Sequence, residues 1–259
     1  MMKNMKWLVP FLSLILLTGC IEIQEKVVIK TNGSGQLTVN TDMSQLLGMM
    51  ESYLGKDEIG KEIPQRVMDT TVMMKDLVDT AKNISAENKA LFREGTIHLK
   101  LNMNEKILRA EMHLPFSSLN NLQKLYTAVN DGSLSTTDMF KGLTSGKKQM
   151  DNNGSAPSAD MNQFNSIYDF QCREGLISRK LNAEKWKALQ NTSEFSQMKE
   201  TSNMGIEMPY TLTIDLPRPV KKVDNALATL SENKKTVAIK YNLMEVFQHP
   251  EKFEYTIAY

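Results

Sequence analysis

The stretch TIHLKLNMNEKILRAEMHL, residues 96–114, restricts the fold more than any other part of the sequence. Ile97, Leu99, Leu101 and Met103 alternate with polar residues; after Asn104-Glu105-Lys106 the alternation resumes at Leu108, Ala110, Met112 and Leu114. A period of two is the signature of a strand with one buried face, and two such runs around a polar turn predict an antiparallel hairpin. A chain built on that unit needs further strands to complete a sheet and other elements to cover its apolar side.

The same pattern recurs along the chain. Ile21, Ile23, Val27 and Ile29 share one face of a first run; Gly33-Ser34-Gly35 provides the turn, and Leu37 and Val39 continue the return strand. Strands are expected again near 166–181, and in the runs carrying Tyr210, Leu212, Ile214 and Leu216, then Val237, Ile239 and Tyr241, then Tyr255, Ile257 and Tyr259. Helical spacing predicts helices over 43–54, over 64–82 with Pro64 at its start and Val67, Thr71, Met74, Val78 and Ala81 as its stripe, over 117–129 capped by Ser117 or Ser118, and over 182–191 with Trp186 and Leu189. Strand pairs separated by helices predict an α+β class: an antiparallel sheet built from hairpins, with helices packed mainly on one face. Residues 131–163 are rich in Ser, Gly, Asn and Asp and read as a flexible insertion within a single domain spanning 20–259.

Before that domain, Lys3 and Lys6 precede the uncharged run WLVPFLSLILLTG. Its apolar part is shorter than the roughly 20 residues of a spanning helix. A basic start, a short apolar centre and a small-residue exit predict a secretory signal peptide over residues 1–19. The exit, Leu17-Thr18-Gly19-Cys20, resembles the lipobox of bacterial lipoproteins. The resemblance implies cleavage between Gly19 and Cys20, a diacylglyceryl thioether on Cys20 and an acylated, for example palmitoylated, new amino terminus. Several acyl chains on one residue give stable membrane anchoring. In such lipoproteins the residue after the cysteine influences sorting, and Ile21 is not the aspartate associated with inner-membrane retention. In a Gram-negative cell the expected location is therefore the outer membrane, facing the periplasm; in a cell with a single membrane the same motif predicts the outer leaflet of that membrane.

A looser resemblance covers about half the chain. LPRPVKKVDNALATLSENKKTVAIKYNL, residues 216–243, and the early Asn32-Gly33-Ser34-Gly35 are similar to the turn-and-strand pattern of LppM-type lipoproteins, whose folded domain follows directly on a lipidated cysteine. It implies an envelope domain without established catalytic residues, so no site residue carries over.

Charge and cysteine content narrow the partners. Removing Lys3 and Lys6 takes the formal net charge from +1 to −1, which leaves no field to attract nucleic acid. With Cys20 lipidated, Cys172 has no partner for an intramolecular disulfide, and in SIYDFQC it alternates with Tyr168 and Phe170 as a buried small hydrophobe.

Signatures of catalysis are missing: the chain has neither G-x-S-x-G nor H-E-x-x-H. GLTSGKK at 142–148 falls one residue short of a phosphate loop and ends in Lys148 where Ser or Thr would bind magnesium. A turn centred on Glu105-Lys106 would set Lys100 opposite Glu111 and His98 opposite His113, making His98, His113 and Glu111 the candidate metal ligands, one short of a usual zinc set. The chain has 18 methionines, of which all but Met1, Met2 and Met5 follow Cys20. They fit core filling, an adaptable apolar groove or Cu(I) thioether ligation. The resulting expectation is a non-enzymatic, lipid-anchored interaction or scaffold protein with no cofactor, bound to the membrane and to an envelope protein. The alternative is a module binding a lipid-like or other apolar ligand in a Met-rich groove between helices and sheet.

Overall fold

The computed structural model describes residues 21–55, 67–79, 81, 84–130, 165–203 and 207–259. The expected signal peptide over residues 1–19, Cys20, Pro64 and the segment 131–163 expected to be an insertion fall outside them.

Twelve strands among the described residues form two sheets. The larger has the order β10-β11-β8-β1-β2-β5-β4-β3 and the smaller the order β6-β7-β12-β9. Their ranges are β1 Glu22–Ile29, β2 Gly35–Asp42, β3 Val67–Met73, β4 Thr96–Asn102, β5 Ile107–Phe116, β6 Tyr168–Arg173, β7 Leu176–Leu181, β8 Pro209–Asp215, β9 Lys222–Val223, β10 Ala228–Leu230, β11 Thr236–Asn242 and β12 Tyr255–Ala258. The helices are α1 Ser44–Leu54, α2 Met74–Val78, α3 Ala86–Phe92, α4 Leu119–Asn130, α5 Ala183–Gln190 and α6 Ser193–Asn203, with 3-10 turns at Leu243–Phe247 and Pro250–Phe253.

The mixed helix-and-sheet class agrees with the sequence expectation, but the architecture differs from a single antiparallel sheet under helices. β1 and β8 run parallel, with Val27 beside Ile214, which closes the sheet across the long segment between them. A four-stranded sheet is also present. Its Tyr168, Cys172, Ile177, Tyr255 and Ile257 belong to the same apolar cluster as Val27, Leu37, Leu114, Leu212 and Ile239 of the large sheet. Part of the cover therefore comes from strands, and one core draws on residues from both sides of the 131–163 segment.

Alternation decides which face is buried. Val27 and Ile29 on β1, Leu37 on β2, Leu114 on β5, Ile97 and Leu99 on β4, and Leu212 and Ile214 on β8 are all nearly inaccessible. The opposite face carries Gln24, Lys26, Thr38, Asn40, Glu111, His113, His98, Thr211 and Thr213, all half-buried or exposed. The first hairpin turns through Gly33, whose φ of 79° suits glycine. Gly35 has a different reason: a Cβ there would lie 1.8 Å from the Val28 carbonyl oxygen and 2.5 Å from the Phe116 ring.

The helix expected over 64–82 is corrected. Residues 67–73 are the edge strand β3, paired with β4, and helix begins only at Met74. VMDTTVM contains four β-branched residues, stiff at χ1 and suited to a pleated surface, and it alternates as well as it spirals. Pairing with β4 satisfies one of its backbone edges, and Met68 packs beside Leu101 and Leu108. The other predicted helices form, with Ser118 accepting from the Asn121 N–H and Asn182 from the Glu184 and Lys185 N–H groups.

Candidate functional site

Three places bring chemistry-bearing residues together: the open face of the large sheet, the interior between the sheets, and a charged groove beside β11.

On the open face, the expected register of the 96–114 hairpin is corrected by two residues. Lys100 stands opposite Arg109, His98 opposite Glu111 and Thr96 opposite His113. The turn is Met103–Lys106, with Lys106 at a φ of 54° and Asn102 Oδ1 accepting from the Asn104 and Glu105 backbone N–H groups at 3.1 and 3.2 Å. The like charges at Lys100 and Arg109 are relieved from the flanking strands. Asp69 of β3 lies 3.9 Å from Lys100, and Asp42 of β2 lies 2.8 Å from Arg109 Nε. Neither carboxylate is visible to an argument confined to the hairpin.

This register separates the histidines. His98 Nε2 lies 2.7 Å from Asp69 Oδ1, and His113 Nε2 lies 3.3 Å from Glu111 Oε1. Gln36 Nε2 lies 2.9 Å from His113 Nδ1, on the side of the ring away from Glu111. The candidate ligand set His98, His113 and Glu111 is thus divided into two carboxylate–histidine pairs. Among the described residues no three His, Cys, Asp or Glu side chains converge to hold a metal ion.

The interior between the sheets contains a polar cluster that the sequence reading missed. Glu25 lies on the inward face of β1, 9% exposed, between Ile23 and Val27. The Tyr126 hydroxyl of α4 donates to its Oε1 and the Tyr210 hydroxyl of β8 to its Oε2, so one carboxylate ties three elements together. Tyr241 stacks on Tyr210 with ring centroids 4.9 Å apart, and its buried hydroxyl has no hydrogen-bond partner. Arg179 of β7 is buried, sits 4.0 Å over the Tyr168 ring and donates to Asn165 Oδ1 at 3.0 Å.

Burial first, and then the negative charge of Glu25, push the Tyr126, Tyr210 and Tyr255 hydroxyls well above the ordinary phenol range. Tyr241 is pushed up to about 12, again mainly by burial. The Tyr126 and Tyr210 hydroxyls act as neutral donors, and through Glu25 they tie β1 to its neighbour β8 and to α4. The available signal was the one polar residue at an inward position of an otherwise apolar strand face.

The groove, about 520 Å³, is lined by Lys180, Lys240, Lys252, Glu245 and Glu251, with Tyr241 at its wall. Ala226 and Leu227 also line it, and no methionine does. Methionines gather elsewhere: Met43, Met50, Met68 and Met103 pack against Leu47, Leu101 and Leu108 as a small second core under α1. Cys172 is buried as expected, and burial pushes its thiol up to about 12.

Comparison with protein-family models, curated proteins and solved structures found no match to this chain. No helix among the described residues is long and apolar enough to cross a membrane.

Proposed function

We propose that this chain is a lipid-anchored envelope protein of interaction or scaffold type, held through a diacylglyceryl group on Cys20 and facing the periplasm from the outer membrane. It works by presenting surfaces near the bilayer, not by catalysis. The observation that carries the reading is the sequence Leu17-Thr18-Gly19-Cys20 immediately before the first element of the fold. β1 starts at Glu22, two residues after Cys20, and is a central strand between β2 and β8. Two residues extend about 7 Å at most. That spacing supports a domain seated directly on its anchor, with the open polar face of the large sheet as the surface for an envelope protein partner. The test is metabolic labelling with palmitate in a bacterial host. Label should enter the wild-type chain and vanish in Cys20→Ser with accumulation of the precursor; label retained by Cys20→Ser would place the anchor elsewhere.

A further inference from the structure

We infer that the end of the large sheet from which β1 starts is a membrane-contact surface, with the outer side of α1 resting in the lipid headgroup region. The inference rests on the anchor reading above and specifies which part of the domain meets the bilayer.

The strand register fixes what shares that end. Glu22 pairs with Asp42, Asp42 with Arg109, and Arg109 with Lys100, so the start of β1, the end of β2 and the β4–β5 turn lie along one rim. α1 follows from β2 along it. Asp42 Oδ1 accepts from the Ser44 N–H at 2.9 Å, and Ser44 Oγ accepts from the Leu108 N–H at 3.1 Å. Glu51 pairs with Lys106 of the β4–β5 turn at 3.0 Å. Leu47 faces inward onto Leu101 and Leu108.

The outer side of this helix sets large apolar side chains among the exposed polar Gln45 and Ser52. Met49 is 41% and Tyr53 83% exposed, one turn apart, and Val67, which pairs with Asn102 just before the same turn, is 63% exposed. Three of the six exposed large hydrophobic side chains among the described residues therefore lie at the end that carries the anchor. Tyrosine and methionine beside each other suit the boundary between headgroups and acyl chains, where an amphipathic ring keeps its hydroxyl wet. The lipid on Cys20, at most about 7 Å from Glu22, holds this rim at the bilayer, so the surface meets lipid at a high effective concentration before any soluble partner. Location thus selects the occupant.

The experiment uses the full-length gene product, isolated as the mature protein and reconstituted into phosphatidylethanolamine–phosphatidylglycerol vesicles with brominated acyl chains. Tyr53→Trp supplies a reporter at an exposed position, and wild type, with Trp186 on α5, supplies the baseline. Emission from position 53 should fall about twofold relative to unbrominated vesicles, as a shallow interfacial depth requires, while the Trp186 signal is unchanged. Protein that floats with the vesicles but shows no quenching beyond wild type overturns the inference and leaves the anchor reading standing. Crosslinking between copies through Tyr53→Cys, with position 53 unquenched, likewise overturns it and assigns the surface to a second copy. Protein that neither floats nor carries acyl mass defeats the anchor reading and this inference together.

Discussion

The Glu25 clamp gives a quantitative prediction. Tyr126 and Tyr210 each donate one hydrogen bond to a different oxygen of the same buried carboxylate. A hydrogen bond to a charged acceptor contributes about 1.5–3 kcal/mol. Tyr126→Phe and Tyr210→Phe should therefore each cost about 2 kcal/mol, lowering the melting temperature by about 4–8 °C for a domain of this size. After either substitution the carboxylate keeps one donor; after both it keeps neither of these two. The double variant should exceed the sum of the singles by about 1 kcal/mol or more, because an uncompensated buried charge is costly. Urea unfolding of the four proteins, followed by circular dichroism, supplies the cycle. Single-variant losses under about 0.5 kcal/mol, or additivity within about 0.5 kcal/mol, would refute the claim that Glu25 is held by shared donors.

Other outcomes follow from the same interior. Tyr126, Tyr210, Tyr241 and Tyr255 have hydroxyl pKa values raised in the folded state, so their stabilisation is complete below the unfolded value of about 10 and is lost as pH rises above it; phenolate absorbance should appear together with loss of circular dichroism. Separate ionisation of these tyrosines in a protein that stays folded would contradict the burial. Cys172, buried with its thiol pushed up to about 12, should react with a thiol reagent at pH 8 only on unfolding, so that urea and reactivity midpoints coincide. Gly35→Ala should destabilise by about 3 kcal/mol or leave the protein insoluble, since its Cβ would meet a backbone carbonyl at 1.8 Å, and near-wild-type melting would show that the first hairpin has room there.

How far the fold was legible follows the range of each signal. The 96–114 hairpin and the helix after it were readable because alternation, turn residues and a serine cap are local. Its register was not, since the carboxylates that make the Lys100–Arg109 pairing tolerable arrive from β2 and β3. The candidate metal set failed for the same reason: Asp69, from the edge strand, takes His98. The β3 segment is ambiguous in sequence because VMDTTVM offers both periods, and only the edge of β4 decides between them. The parallel β1–β8 pair joins residues almost two hundred positions apart and leaves no trace in either strand. Glu25 was legible as an anomaly, an acidic residue on an apolar face, but its tyrosine partners sit 101 and 185 residues away.

The central claim is most directly tested by the mass of the N-terminal peptide of the mature protein isolated from its own membrane. The account predicts a chain beginning at Cys20 and carrying a diacylglyceryl group and an additional acyl chain. An N terminus elsewhere, or a Cys20 peptide with an unmodified thiol, would contradict it.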